Sequence, residues 1–476
     1  MFNELDGWCC ERAVFDSPHQ YAASRPKLVS LERGRPLSAF ELVAFSIAFE
    51  LDVPHIPHML ELSGIPPLAR DRGAGHPFVL AGGPMSQSNV LPLAPFVDAV
   101  VIGDAEETLP ALMAVYDQQH HRHDLLLALA ELPGVWVPSI HNDCTCDVVR
   151  APEHVLPAVG QFISPKAELS NMFLIEASRG CPRMCTFCVV RATVSPMRAS
   201  GPEAALAAVP PWAPRVGFVG AAVSDYAHVK TLLQGVIEQG KGVSVSSLRA
   251  DRLDEEFVWL LKQGGYRAMT VASDAPSERQ RSKLMKGIRE RHLLRAAHLS
   301  KWAGMKQLKV YMILGLPDET EEDIDELLGF SAQVAAVLPM ALTLSPFVPK
   351  LHTPLCGAPF EDVRCIDDRL QRIRRSLGGK VDVRSASGKW AWVEYRLSQG
   401  GPSAGLAAWE GYRNGGSYAA YRAAFLAAGE ERAALDAALR HGVWQPTGVN
   451  PDMPAPPRPP KRLQWSGVEV QPRTLG

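Results

Sequence analysis

The 476-residue sequence predicts an α/β fold of two sheet-centred domains with a small α+β cap. Three observations predict it. Strand-like apolar runs alternate with helix-period stretches over most of the chain, the rhythm changes character near residue 165, and the last part turns Ala-rich and then Pro-rich. The length exceeds what one compact core serves, so two or three domains are expected. With 46% apolar and 21% charged residues the chain has the composition of a globular protein rather than a disordered one.

In residues 1–165, FELVAFSIAFE reads as a half-buried strand, HPFVLAGG as a strand running into a glycine turn, and VDAVVIGDAEETLPALMAVY as strand, turn and helix. This pattern predicts an open parallel sheet. In residues 166–358 the strands MFLIEAS, RVGFVG, VSVSSL, YRAMTVA, LKVYMIL and MALTLSPF alternate with helical stretches. Six such units predict a partial (β/α)6 barrel, short of the eight of a closed one. Residues 359–442 hold an amphipathic helix, EDVRCIDDRLQRIRRSL, the strand KVDVRS and Ala-rich helices, and they read as a cap over the barrel. Trp390 and Trp392 read as alternating aromatics on a strand, engaged in packing. Residues 443–476 are too Pro-rich for helix or central strand and predict an extended tail.

Charge excludes little except by its balance. Lys and Arg total 49 against 51 Asp and Glu, which gives no field to gather nucleic acid or anionic membrane. No apolar run reaches the roughly 18 residues of a membrane span, and MFNELDGWCCERAVF lacks the basic and apolar regions of a signal peptide. A cytoplasmic protein is expected.

Nine cysteines are too sparse for a disulfide scaffold. Cys9 and Cys10, Cys144 and Cys146, Cys356 and Cys365 are dispersed, but Cys181, Cys185 and Cys188 form C-x3-C-x2-C directly after a strand. Thiolates are the ligands of iron–sulfur clusters, and one short loop can wrap three of them around a single [4Fe-4S] cluster, leaving the fourth iron open. Zinc, the competing metal, would call for a fourth Cys or His nearby, and the loop has none.

CPRMCTFC in this setting resembles the radical S-adenosylmethionine (SAM) superfamily, with Phe187 matching the aromatic before the third cysteine. The resemblance implies that the open iron chelates the amino and carboxylate groups of SAM. It further implies that one electron, supplied by a flavodoxin or ferredoxin-type donor, cleaves SAM to methionine and a 5'-deoxyadenosyl radical. GFVGAAVSDY then brings Gly220, Ser224 and Asp225 to the SAM amino group, SVSSLRAD brings Ser246 and Arg249 to face SAM, and ILGLPDETEED brings Gly315 to the adenine. Asp318 and Thr320 also suit a helix cap. In TVASDAPSERQRSKLMKG, Asp274 and Pro276 stand where relatives carry Glu and Gly, so the ribose contact is expected to be water-bridged or lost; Ser277, Glu278, Arg279 and Arg281 keep to the pattern.

VLAGGPMSQSN and FVDAVVIGDAEETLPAL resemble the Rossmann-like cobalamin-binding domain that precedes the cluster in many superfamily members. Gly82, Gly83, Pro84, Gly103 and Glu106 are the residues this implies for cobalamin. No D-x-H-x-x-G occurs, so His19, His55, His58 and His76 read as ordinary histidines rather than as a cobalt ligand, and the first strand of the domain reads as missing. With LERGRPLSAFELVAFSIAFELDVPHIPHMLELSGIP and SPFVPKLHTPL, the likeness to an uncharacterised cobalamin-type radical SAM family covers most of residues 1–400.

Three functions stay open at this point. The first is hydrogen abstraction from an unactivated carbon, with C-methylation where cobalamin is bound. The second is radical rearrangement or methylthiolation without cobalamin, and the third is a non-catalytic iron–sulfur sensor or scaffold. A small molecule, a lipid or a peptide would each serve as substrate.

Overall fold

The structure, a computed structural model, describes residues 1–15, 27–141, 148–165 and 167–428. His19, Cys144, Cys146, the end of the expected cap and the Pro-rich tail lie outside the described residues.

Strands β1 (Leu42–Ser46), β2 (Phe78–Gly82) and β3 (Ala99–Val101) run parallel in sequential order, and β4 (Val135–Trp136) closes the edge antiparallel. The reversal of β4 has a simple cause. One crossover helix returns a chain to start a parallel strand, whereas the two helices Ala105–Gln118 and Arg122–Ala130 between β3 and β4 leave it at the opposite end. Those helices bury Leu109, Leu112, Met113, Leu125 and Leu129 against Phe78, Leu80 and Val101 on one face of the sheet. The other face takes the helix His55–Leu62 and three helices from far along the chain, Gly388–Ser398, Pro402–Arg413 and Tyr418–Ala427.

That second layer departs from expectation. The C-terminal helices cover the N-terminal sheet, with Val393, Leu397, Ala404, Ala408, Tyr412 and Phe425 buried in its core. Trp390 and Trp392 are helical, not in a strand. An apolar residue at every second position resembles strand alternation, but Ala391, Val393 and Leu397 also give a helix one buried side. Both tryptophans do pack, Trp390 edge-on to Tyr421 at 5.6 Å and Trp392 against Tyr418 and Phe425.

The barrel begins with the short β5 (Ala158–Val159), antiparallel to β6 (Phe173–Glu176). A two-stranded ladder of β7 (Ser178–Arg179) and β8 (Arg198–Ala199) follows. Then come β9 (Arg215–Phe218), β10 (Gly242–Val245), β11 (Ala268–Ala272), β12 (Gln307–Leu314) and β13 (Met340–Pro346). The six expected strands β6 and β9–β13 form two parallel segments, β10-β9-β6 and β11-β12-β13, joined by the parallel bridge Leu248–Val271. KVDVRS, read as part of the cap, forms β14 (Val381–Ser385), a further parallel strand on β13. Its crossover is the expected amphipathic helix Val363–Leu377, with Ile366, Leu370, Ile373 and Leu377 buried. Strand residues Ile175, Phe218, Met269, Val310 and Leu342 share one core with Leu233, Phe257, Leu293, Leu327 and Phe330 of the surrounding helices.

The parts meet at polar junctions. Lys350, just past β13, donates to Glu50 of the N-terminal domain at 2.6 Å and to Glu394 of the C-terminal helices at 2.8 Å. Asn89 Nδ2 donates to the carbonyls of Leu397 and Gly400. No helix among the described residues is long and apolar enough to cross a membrane.

The seam between the C-terminal helices and the N-terminal sheet is tight at Gly405, where a β-carbon would stand 2.0 Å from the Pro92 carbonyl oxygen. Gly405→Ala is therefore expected to lower stability by about 1–3 kcal/mol, the usual cost of overpacking, read as a drop in the urea unfolding midpoint.

Candidate functional site

The cysteine loop starts where β6 ends. β6 brings Glu176 to the C-terminal rim of the barrel and the chain passes at once into the β7–β8 ladder, from which the loop emerges. Gly180 makes the exit with φ +92°, and a β-carbon there would lie 2.8 Å from the carbonyl oxygens of Val194 and Pro196, so the two ends of the loop approach this closely only around glycine. Inside the loop the Cys188 N–H donates to the Cys185 carbonyl at 3.3 Å and Ser195 Oγ to the Cys181 carbonyl at 2.7 Å. Cys185 is buried, Cys181 and Cys188 are half-buried, and all three are free thiols.

Three contacts fasten the loop to the strand ends. Arg183 donates to both oxygens of Asp225, at 3.1 and 2.5 Å. The Thr186 N–H donates to the Leu284 carbonyl at 3.1 Å, and Phe187 packs against Ala275, Leu284, Leu316 and Phe347.

The residues expected to face SAM stand on the same rim and are linked to one another. Ser246 Oγ donates to the Gly220 carbonyl at 3.2 Å, and Ser224 Oγ accepts the Arg249 N–H at 3.2 Å. Asp225 takes Arg252 at 2.9 Å besides Arg183, with Arg249 at 3.9 Å, and this set of cations holds its carboxyl below the usual range although burial pushes the other way. Arg249 reaches the Lys286 carbonyl at 2.8 Å, and Lys286 is ion-paired to Asp274, whose φ is +64°. Gly315 turns at the end of β12 with φ +79°, beside the packing of Phe187 on Leu316. Thr320 and Asp323 form a capping box on the helix Glu321–Val337, and Ser277 caps the helix Glu278–Lys283. Arg281 is fully buried, donating to the carbonyls of Ala275 and Ile288, which makes it a brace of the rim.

Burial pushes all three loop thiols above their ordinary value. Opposing it are the N–H and guanidinium of Arg183 at Cys181, the Lys286 ammonium at Cys185, and the N–H groups of Val190 and Arg191 at Cys188. Cys188 also feels Cys181, and Cys185 feels Cys188, so the three share one electrostatic neighbourhood. Among the described residues no group of three or more His, Cys, Asp or Glu is drawn tightly enough together to hold a metal ion. The donor set nonetheless fits an iron–sulfur cluster, which spreads its thiolates more widely than a single ion does. Three cysteines share one short loop, N–H groups meet two of the sulfurs, and Arg183, Arg249 and Lys286 offset thiolate charge.

Two of the glycines expected to hold cobalamin have their side-chain space filled by backbone, and Glu106 has a partner in the barrel. Gly83 follows Gly82 at the end of β2, but the space its missing side chain leaves is filled by the backbone of Ile47, 2.7 Å from a would-be β-carbon. At Gly103 the filler is Val149, at 2.2 Å, which bridges to it as a further parallel element. Pro84 opens a short 3-10 helix, and Glu106 is ion-paired to Arg179 of the barrel at 2.8 Å. Contacts with the barrel and its neighbouring loops continue along the strand ends: Gln87 with Thr193 at 3.0 Å, the Ser88 carbonyl with His352 at 3.2 Å, Asp104 with Arg198 at 2.9 Å. On the side where a β-carbon would stand, these two glycines admit the chain's own backbone. His58 is buried beside Phe15 and Tyr412, and His55 and His76 also make local contacts.

With this geometry in hand, two family models match the chain: radical SAM proteins, N-terminal, over residues 1–138, and the radical SAM superfamily over residues 175–331. The chain belongs to the radical SAM superfamily. An uncharacterized protein of Methanocaldococcus jannaschii is 30% identical over 284 residues, which are 58% of this chain and 60% of that protein. Among solved structures, the cobalamin-dependent S-adenosylmethionine radical enzyme OxsB with aqua-cobalamin bound is similar at 16% identity and TM-score 0.45, over 63% of this chain and 44% of its own. Streptococcus suis SuiB bound to S-adenosylmethionine is similar at 14% identity and TM-score 0.36, over 47% of this chain and 52% of its own. The matches thus span less than two thirds of each of these proteins.

Sequence reasoning missed several residues of the rim. Arg183 lies inside the cysteine motif, and Lys286 carries no signal of its own. Glu319 could have been found, four residues after the turn glycine: its carboxylate accepts the N–H groups of Gly315 at 3.0 Å and Leu316 at 3.3 Å and pairs with Arg369 at 3.1 Å. Burial pushes Glu319 up to about 7 against those partners. The folded chain therefore keeps a proton that the unfolded chain releases above its ordinary 4.5, and the Glu319 contribution to stability falls as pH rises from 4.5 to about 7. His352, which burial holds down to about 3, acts in the opposite sense below 6.5. That second slope is common to wild type and Glu319→Gln. Their difference in unfolding free energy is expected to change by about 3 kcal/mol across the Glu319 window, measured by urea unfolding at stepped pH.

Proposed function

We propose that this chain is a radical SAM enzyme that holds a [4Fe-4S] cluster on Cys181, Cys185 and Cys188, binds SAM on the rim of β9–β12, and abstracts hydrogen from an unactivated carbon without a corrin. The observation that carries this reading is the join between Arg183 of the cysteine loop and Asp225, which puts three thiols beside the polar strand-end residues. When bound, the cluster would supply one electron for the cleavage of SAM to methionine and a 5'-deoxyadenosyl radical.

The chain's own residues do the positioning. Asp225 and the Thr186 N–H anchor the loop, Phe187 closes its apolar side, and Arg249 and Lys286 balance anionic sulfur. Ser224, Ser246 and the turn at Gly315 offer SAM polar backbone and side-chain groups where barrels of this kind build their sites. Asp274 is held by Lys286 through Oδ2, which leaves Oδ1 to meet SAM. The N-terminal domain lies against the rim through Asp104 and Glu106. A small molecule, a lipid or a peptide would be the substrate, and a flavodoxin or ferredoxin-type protein the electron donor. C-methylation would need cobalamin, and the filled strand ends at Gly83 and Gly103 argue for the corrin-free reaction.

Anaerobic reconstitution with iron, sulfide and hydroxocobalamin, followed by desalting, tests this. Wild type is expected to retain iron and sulfide without corrin absorbance and, with reductant and SAM, to form 5'-deoxyadenosine. Cys185→Ser is expected to lose that product. A retained cluster that makes no 5'-deoxyadenosine would favour the sensor or scaffold, and retained corrin would restore methyl transfer.

A further inference from the structure

The cysteine loop leaves and re-enters the barrel through the β7–β8 ladder, in which Arg179 stands directly opposite Arg198. Like charges at opposed positions repel and weaken pairing. These side chains are only 13% and 11% exposed, so water screens them little. Much of the compensating charge comes from the other domain. Asp104, at the end of β3, pairs through Oδ1 with Arg179 at 3.2 Å and through Oδ2 with Arg198 at 2.9 Å. Arg179 has Glu106 and Glu176 as well, at 2.8 and 2.7 Å, but Arg198 meets no other acid among the described residues. Asp104 also holds the N-cap position of the helix Ala105–Gln118, where a carboxylate ordinarily accepts a helix N–H. It makes no such bond and instead accepts the Ala151 N–H at 2.9 Å, while Arg198 donates to the Ala151 carbonyl.

We propose that Asp104 is a positioning residue for the cysteine loop: it clamps the two arginines at the base of the loop and so holds Cys181 and Cys188 in the spacing one cluster requires. The N-terminal strand ends thereby serve the cluster loop directly. This inference rests on the cluster reading above, and its test separates the two.

Asp104→Asn keeps the side-chain shape and removes the charge. In the metal-free protein, hydrogen exchange is expected to quicken roughly tenfold for amides of residues 180–197 and to stay unchanged in β11–β13. In reconstituted protein, release of iron to a chelator is expected to quicken by roughly tenfold or more, with a broadened electron paramagnetic resonance signal of the reduced cluster. Asp104→Glu should restore much of both, and Arg198→Met in the Asp104→Asn background should restore them too, because one of the opposed charges is then gone. Unchanged loop exchange in Asp104→Asn, or a whole-chain loosening that Arg198→Met does not reverse, would overturn the proposal. Wild type that takes up no iron would overturn the cluster reading, and the exchange experiment would still decide the role of Asp104.

Discussion

Buried arginine has to be matched by acid, and that requirement organises the mouth of this barrel. A guanidinium cannot shed its proton, so once a rim is closed to water each one needs a carboxylate or a set of carbonyls in fixed geometry. Arg183 is answered by Asp225, Arg179 and Arg198 by Asp104, Arg369 by Glu319, and Arg281 largely by carbonyls. These pairs join elements remote in sequence, so they carry the cysteine loop, the strand ends and the N-terminal domain as one body. Ion pairs of this kind add little net stability over an apolar filling, but they are exacting about geometry.

Most of the architecture was legible because it rests on local periodicity. The strands RVGFVG, YRAMTVA and LKVYMIL are apolar runs of the right length, each followed by a helix-period stretch, and each became a strand of the barrel sheet. What was hidden depends on which faces meet. Nothing local says that Val393, Leu397 and Tyr412 bury against Val79 and Val100 instead of over the barrel, because both destinations ask only for an apolar stripe. Strand and helix were confused at Trp390 and Trp392, where period two and period 3.6 predict the same short pattern.

The site divides in the same way. Cys181, Cys185, Cys188 and Phe187 were legible because the spacing of a loop is written in consecutive residues. Asp225, Arg249, Asp274 and Gly315 were found as members of strand-end motifs, and they share one rim. Their mutual bonds were not legible, nor was the role of Lys286, since a partner across the barrel leaves no trace in the neighbouring letters. Gly83 and Gly103 show how little a glycine says about its neighbour. A glycine announces that something comes close, and here that something is Ile47 and Val149 of the same chain.

The packing of the C-terminal helices on the N-terminal sheet also bears on the order in which the chain can fold during its own synthesis. Asn89 waits for carbonyls 308 and 311 residues further on. At about 5–20 residues per second, the ribosome takes roughly 15–60 s to deliver them. Throughout that interval one apolar face of this sheet is covered only by the helix His55–Leu62 and its neighbouring segments, while the whole barrel is threaded out between the two halves of its eventual core. The helices Pro402–Arg413 and Tyr418–Ala427 thus complete a domain whose sheet was made long before them, and until they arrive that part of its apolar face is open to other hydrophobic surfaces.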